Sequence, residues 1–225
     1  MTDTKLLVAQ LASLFRYIGG RGDILNIAQD VIRRWQEPHR FYHNIDHLDE
    51  CLTEHRRATA PGDYHVCLCP AAVELALFYH DVVYKIRQNT EDNTPVHDNE
   101  EQSVRILLED CKVLHMSSEL PLYVSQLILA TKHKSIPTSP DAQLIVDIDL
   151  ARFGAPPEAY TKYSQQLHDE YTQIYSERVY RAGRKQFLED FLKGRASVFT
   201  SEYFRQRCEQ QAQDNIHEEI RRLSE

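Results

Sequence analysis

Apolar residues recur three and four positions apart over most of this 225-residue chain, the spacing that gathers side chains on one face of an α-helix. Leu6, Leu7, Ala9, Leu11, Leu14 and Phe15 form a first stripe, and Ile24, Ile27, Ala28, Val31, Ile32 and Trp35 a second. Gly19, Gly20 and Gly22 interrupt the pattern between them, and Asp23 is placed to cap the second helix. The same periodicity predicts helices at roughly 44–59, 70–84, 97–113, 119–132, 141–152, 157–173, 177–193 and 200–222, the last rich in Gln, Glu and Arg and read as solvated. Only Leu144 to Leu150 has the β-branched character of a strand; it alternates briefly and has no partner run, so it too is predicted helical. The expected fold is all-α, a bundle of about eight to ten helices in a single domain over residues 1–225.

Composition narrows the function classes. With 42% apolar and 27% charged residues the chain is ordinary for a globular protein. No apolar run approaches the roughly 20 residues needed to cross a bilayer, so no membrane association is expected. The start, Met1-Thr2-Asp3-Thr4-Lys5, lacks the basic-then-apolar pattern of a secretory signal, and a cytoplasmic location is expected. Five cysteines, an odd number, point to free thiols, and Cys67-x-Cys69 has no second pair to complete a zinc site. A net charge of -8 argues against binding duplex nucleic acid but leaves room for a small anionic substrate. A homo-oligomer is compatible with this composition. The polar segment Lys85 to Val96, ending at Pro95, joins two chemistry-bearing stretches and reads either as a lid over the site or as plain surface loop.

Eleven histidines are present, several beside carboxylates inside apolar patterns. In Tyr42-His43-Asn44-Ile45-Asp46-His47 the two imidazoles are four apart and share one face at the start of a helix. In Leu75 to Tyr84 an adjacent His80-Asp81 pair sits within a stretch that should be buried on most sides, where an unpartnered carboxylate costs several kcal/mol. A metal offsets that cost directly; a hydrogen-bond network is the alternative. Asp147 and Asp149 lie in a third apolar stretch, and either would complete a His, His, Asp, Asp set. Such mixed nitrogen and oxygen ligands, with positions left for water, suit a divalent Mn, Fe, Co, Ni, Zn or Mg ion.

The order His47, then His80-Asp81, then a distant Asp149 resembles the H…HD…D signature of the HD-domain superfamily of metal-dependent phosphohydrolases. Tyr42-His43-Asn44 followed by His47 is similar to the Tyr-His-Asn-x-x-His segment of the cyclic nucleotide phosphodiesterases, which implies His43 as general acid and His47 as ligand. Ile128 to Thr131 and then His133 is similar to a pocket-lining helix of such proteins. His80-Asp81-Val82-Val83-Tyr84 and Asn99-Glu100-Glu101-Gln102-Ser103 match the HD-x-x-Tyr and Asn-Glu-x-x-Ser segments of small bacterial predicted HD phosphohydrolases. The resemblance covers roughly residues 40–155 and selects Asp149 over Asp147, through an Asp-x-Asp-Leu segment whose second acid binds metal. The Glu-Asp pair of the ppGpp hydrolases and the paired His and GYP motif of the cyclic dinucleotide hydrolases are missing.

The resemblance implies a helical HD-type domain and hydrolysis of a small phosphomonoester or phosphodiester, a nucleotide among the candidates, by metal-activated water. His47, His80, Asp81 and Asp149 would hold the ion; His43 or His133 would protonate the leaving oxygen, and Glu100 would orient water, bind substrate or support a second metal. Lys85, Lys132, Lys134 and Tyr84 are candidate substrate contacts. Two alternatives stand beside it: a di-iron oxygenase of the same superfamily, and a metal-containing regulatory or binding module without turnover.

Overall fold

The computed structural model describes residues 2–60, 67–86 and 98–225. Among them are ten α-helices and no strand: α1 (Thr4–Tyr17), α2 (Ile24–Arg34), α3 (Ile45–Ala58), α4 (Pro70–Tyr79), α5 (Asn99–Val113), α6 (Glu119–Ala130), α7 (Pro140–Asp149), α8 (Pro157–Tyr171), α9 (Glu177–Leu192) and α10 (Glu202–Leu223). A 3-10 turn over Leu150–Gly154 continues from α7. No described helix is long and apolar enough to cross a membrane. Most of the Lys85 to Val96 segment, residues 87 onward, lies outside the described residues.

Short polar side chains start the helices by accepting otherwise unpaired backbone N–H groups. Asp3 accepts from Lys5 and Leu6, Asn44 from Asp46, Asp98 from Glu101, and Ser139 from Ala142 ahead of Pro140. Asp23 sits at the expected cap position of α2, but its carboxylate accepts from the Asn26 side chain rather than from the backbone. Gly19, at φ +93, takes the left-handed conformation that ends α1.

The site depends on where α4 lies. It packs on α1, α3, α5, α6 and α7, and every residue from Leu75 to Tyr79 is fully buried. Each such large apolar side chain contributes roughly 2 kcal/mol of burial free energy, so the helix is anchored along its length. Trp35, also fully buried, donates its indole N–H to the Phe78 carbonyl at 2.9 Å.

The apolar pattern predicts a helix reaching residue 84, whereas α4 stops at Tyr79. A cation from elsewhere in the chain ends it. The buried guanidinium of Arg40 donates to the carbonyls of Asp81 (2.6 Å) and Val82 (3.2 Å), and the Ser103 hydroxyl accepts from the Val83 N–H. These partners satisfy backbone groups that a continuing helix would have used.

The C-terminal segment is not simply solvated. Phe204, Ala212, Asn215, Ile216 and Glu219 are buried on one face of α10, against α9 and the 3-10 turn. Buried Asp147 fixes its start by accepting from the Thr200 N–H and hydroxyl and from the Ser201 N–H, at 2.6 to 2.9 Å.

Candidate metal centre

Three helices deliver four ligand-type side chains to one point: α3 carries His47, the end of α4 carries His80-Asp81, and the last residue of α7 is Asp149. His47 Nε2 lies 3.4 Å from His80 Nε2, 3.3 Å from an Asp149 oxygen and 4.0 Å from an Asp81 oxygen. His80 Nε2 lies 3.3 Å from Asp81 and 3.6 Å from Asp149. Ligands about 2.1 Å from a common ion stand roughly 3.0 to 3.4 Å apart at cis-octahedral or tetrahedral angles. The observed edges are at or slightly above that range, so the four groups could hold a divalent ion with small side-chain adjustment.

The surroundings agree with that fit. His80 Nδ1 donates to the Leu77 carbonyl at 2.9 Å, which turns the Nε2 lone pair toward the cluster, the usual arrangement behind a metal-binding imidazole. Trp35 packs against both rings, with centroids 6.2 Å from His47 and 5.3 Å from His80. Burial pushes His80 down, yet Asp81 and Asp149 outweigh it and raise it to about 9. Burial holds His47 below its ordinary value. Burial disfavours the charged form of Asp149, but hydrogen bonds from His133, His47 and His80 keep its carboxyl well below the usual range. A proton on His80 thus balances only part of the charge of two buried carboxylates, and a divalent cation would complete it.

Asp147, two residues before Asp149 on α7 and so on a different side of the helix, faces Thr200 and Ser201 instead. His133 does reach the centre: its Nε2 is 2.9 Å from the second Asp149 oxygen, and its backbone adopts φ +55 just beyond α6. The buried Nδ1 of His133 has no hydrogen-bond partner among the described residues.

A pocket of about 610 Å³ opens over Asp81 and Asp149, and His43, Tyr84, Glu100, Lys132 and His133 also line it. His43 lies ahead of α3 rather than on its first turn, because Asn44 caps the helix. Its ring still meets that of His47, centroids 5.9 Å apart, and stacks on Tyr84 at 3.8 Å. His43 Nδ1 sits 2.5 Å from Glu170, a fully buried carboxylate on α8 that also accepts the N–H groups of Phe41, Tyr42 and His43. Burial works against protonation of His43, but Glu170 outweighs it and raises the pKa, while the same pairing lowers Glu170 to about 2 against its own burial.

Glu100 is half-buried in the first turn of α5, and burial, with Asp81 nearby, raises its pKa. Lys132 is half-buried and bonded to Asp98 (2.6 Å) and Glu101 (3.0 Å), which ties up its charge. Lys134 is exposed near Asp98, and Lys85, expected to meet substrate, is exposed and not part of the pocket wall.

Two residues of the pocket wall, Arg184 and Arg152, and Glu170, buried behind His43, carry no motif and were not singled out by the sequence. Arg152 pairs with Glu50 at the rim, between this pocket and a second cavity of about 490 Å³ that reaches His47 and Cys51 from the other side. A signal for Glu170 existed, since it follows Tyr160, Tyr163 and Leu167 along the buried stripe of α8. A lone carboxylate on such a stripe requires a partner. No protein-family model, curated protein or solved structure matches the chain.

Proposed function

We propose that this protein is a metal-dependent phosphoric ester hydrolase with a HD-type centre. The observation that carries the reading is the convergence in one pocket of two unlike devices: a four-residue cluster of ligand geometry and, beside it, a histidine whose Nδ1 is held by a buried glutamate that raises its pKa. The order of the motif residues, matching the H…HD…D signature, supports it.

A divalent ion at the cluster would supply Lewis acidity, lowering the pKa of water from about 15.7 towards 7 and neutralising charge on the phosphoryl oxygens. The remaining work belongs to the chain. His47, His80, Asp81 and Asp149 hold the ion's place, and His133 braces Asp149. Glu100, its pKa raised by burial, is suited to accept a proton from the attacking water. His43 carries its proton on the pocket side, because Nδ1 is committed to Glu170, and donates it to the ester oxygen. The water oxygen bonds to phosphorus, the phosphorus–ester oxygen bond breaks, and its electron pair leaves as an alcohol protonated by His43.

The test is the metal content of the purified protein and of an Asp81→Ala variant, measured alongside phosphate release from a panel of nucleotides and a general phosphodiester. Stoichiometric metal and hydrolysis that disappear together in the variant are the expected result. Metal without hydrolysis would favour an oxygenase or a binding module, and no metal in either form would overturn the reading.

A further inference from the structure

Resting on the phosphohydrolase reading, we propose that the end of the pocket away from Asp81 and Asp149 selects esters whose alcohol part carries a flat, uncharged aromatic or heteroaromatic ring. One face of α9 builds that end: Val179, Tyr180, Gly183, Arg184 and Phe187 follow helical spacing and all line the pocket. Val179 and Phe187 are 45% and 42% exposed there, large apolar side chains left uncovered at the pocket wall.

Gly183 sharpens the argument. A Cβ at this position would meet nothing within 4 Å, so no packing contact requires a glycine. Glycine is the least favourable residue after proline in a helix interior. Its presence between Tyr180 and Phe187 keeps open a gap that any side chain would narrow.

Phe153, Tyr163 and Tyr171 line the same pocket, with Tyr171 packed on Tyr180 at a centroid distance of 6.2 Å. The wall is continuous with the reacting end, because the Tyr171 hydroxyl is 3.0 Å from that of Tyr84, the residue stacked on His43. Rings of this kind receive either another flat ring or a quaternary ammonium group. Arg184 decides between them. Its guanidinium lies 5.5 to 5.9 Å from the ring centroids of Phe153, Tyr163 and Phe187. Glu219 and the Tyr163 hydroxyl hold it in place. Glu219 balances its charge, but the guanidinium already occupies the place over those three rings where an ammonium group would bind, so another flat ring is the better fit.

The experiment compares three esters of primary alcohols on the metal-loaded protein: benzyl phosphate, cyclohexylmethyl phosphate and phosphocholine. It is run on wild type, Gly183→Leu and Phe187→Ala, together with calorimetric binding of benzylphosphonate, which cannot be hydrolysed. Benzyl phosphate is expected to exceed both others in kcat/KM by about tenfold. Gly183→Leu should erase that preference by raising KM for the benzyl ester and should weaken benzylphosphonate binding about tenfold, with helix content and metal content unchanged. Phe187→Ala, which adds no bulk, should move both readouts the same way. Hydrolysis without ring preference, a preference for phosphocholine, or variants that leave KM and phosphonate binding unchanged would overturn the ring site while the hydrolase reading stood. Phosphate release from none of the esters, with benzylphosphonate binding still sensitive to Gly183, would sink the hydrolase reading and support the ring site.

Discussion

Replacing Glu170 by Gln keeps the shape of a buried side chain and removes its charge. One carboxylate oxygen accepts the N–H groups of Phe41, Tyr42 and His43 at 2.8, 2.9 and 3.1 Å, and the other faces the His43 ring. These partners overcome burial and hold the carboxyl at about 2, against an ordinary 4.5. An acid depressed that far stabilises the fold by about 3 kcal/mol once it is ionised in both folded and unfolded chains. Because the folded value is the lower one, this contribution is complete above pH 4.5 and is lost as pH falls toward 2. His43 is the mirror case: its folded pKa is raised above 6.5, so its share is present below 6.5 and fades as pH rises through the folded value. The two describe one ion pair and are counted once. Urea unfolding of the metal-stripped protein at pH 5.5 should therefore show Glu170→Gln less stable by about 3 kcal/mol, with the gap falling to about half by pH 3. A gap under about 1 kcal/mol, or one unchanged between those pH values, would refute the account.

Asp149→Asn should abolish metal uptake, whereas Asp147→Asn should leave uptake intact and cost about 1–3 kcal/mol in urea unfolding, since it disturbs the bonds to Thr200 and Ser201. Metal analysis paired with denaturation separates the two. His43→Gln should lower phosphate release by about 10²- to 10³-fold at unchanged metal content. Gly183→Ala should raise stability by about 0.5–1 kcal/mol, seen as a thermal midpoint roughly 1–4 °C higher by calorimetry.

Long-period apolar spacing made the helices legible: α1 to α3 and α5 to α10 fall within a few residues of their expected ranges, and Leu144 to Leu150 is helical despite its β-branched residues. The end of α4 was not legible, because apolar spacing runs on to Tyr84 while the terminating groups, Arg40 and Ser103, come from other segments. At the site, costly polar residues in apolar runs marked His80, Asp81, Asp147 and Asp149. Spacing alone could not separate the two last acids; what separates them is which neighbours each meets, Thr200 and Ser201 for one and three imidazoles for the other. Glu170 and Arg184 escaped notice because each is paired with a residue distant in the chain, His43 and Glu219, so neither half forms a local motif.

The four ligand groups come from helices that are far apart in sequence, with His47 and His80 alone separated by 33 positions. An ion held there acts as a clasp on chain topology as well as a chemical reagent. If it bound the folded chain and not the open one, its free concentration would set the folding equilibrium: an excess of one hundred times the dissociation constant would add about 2.7 kcal/mol. The supply of metal would then govern how long each molecule survives proteolysis, and the same clasp would make the protein's abundance a readout of that supply.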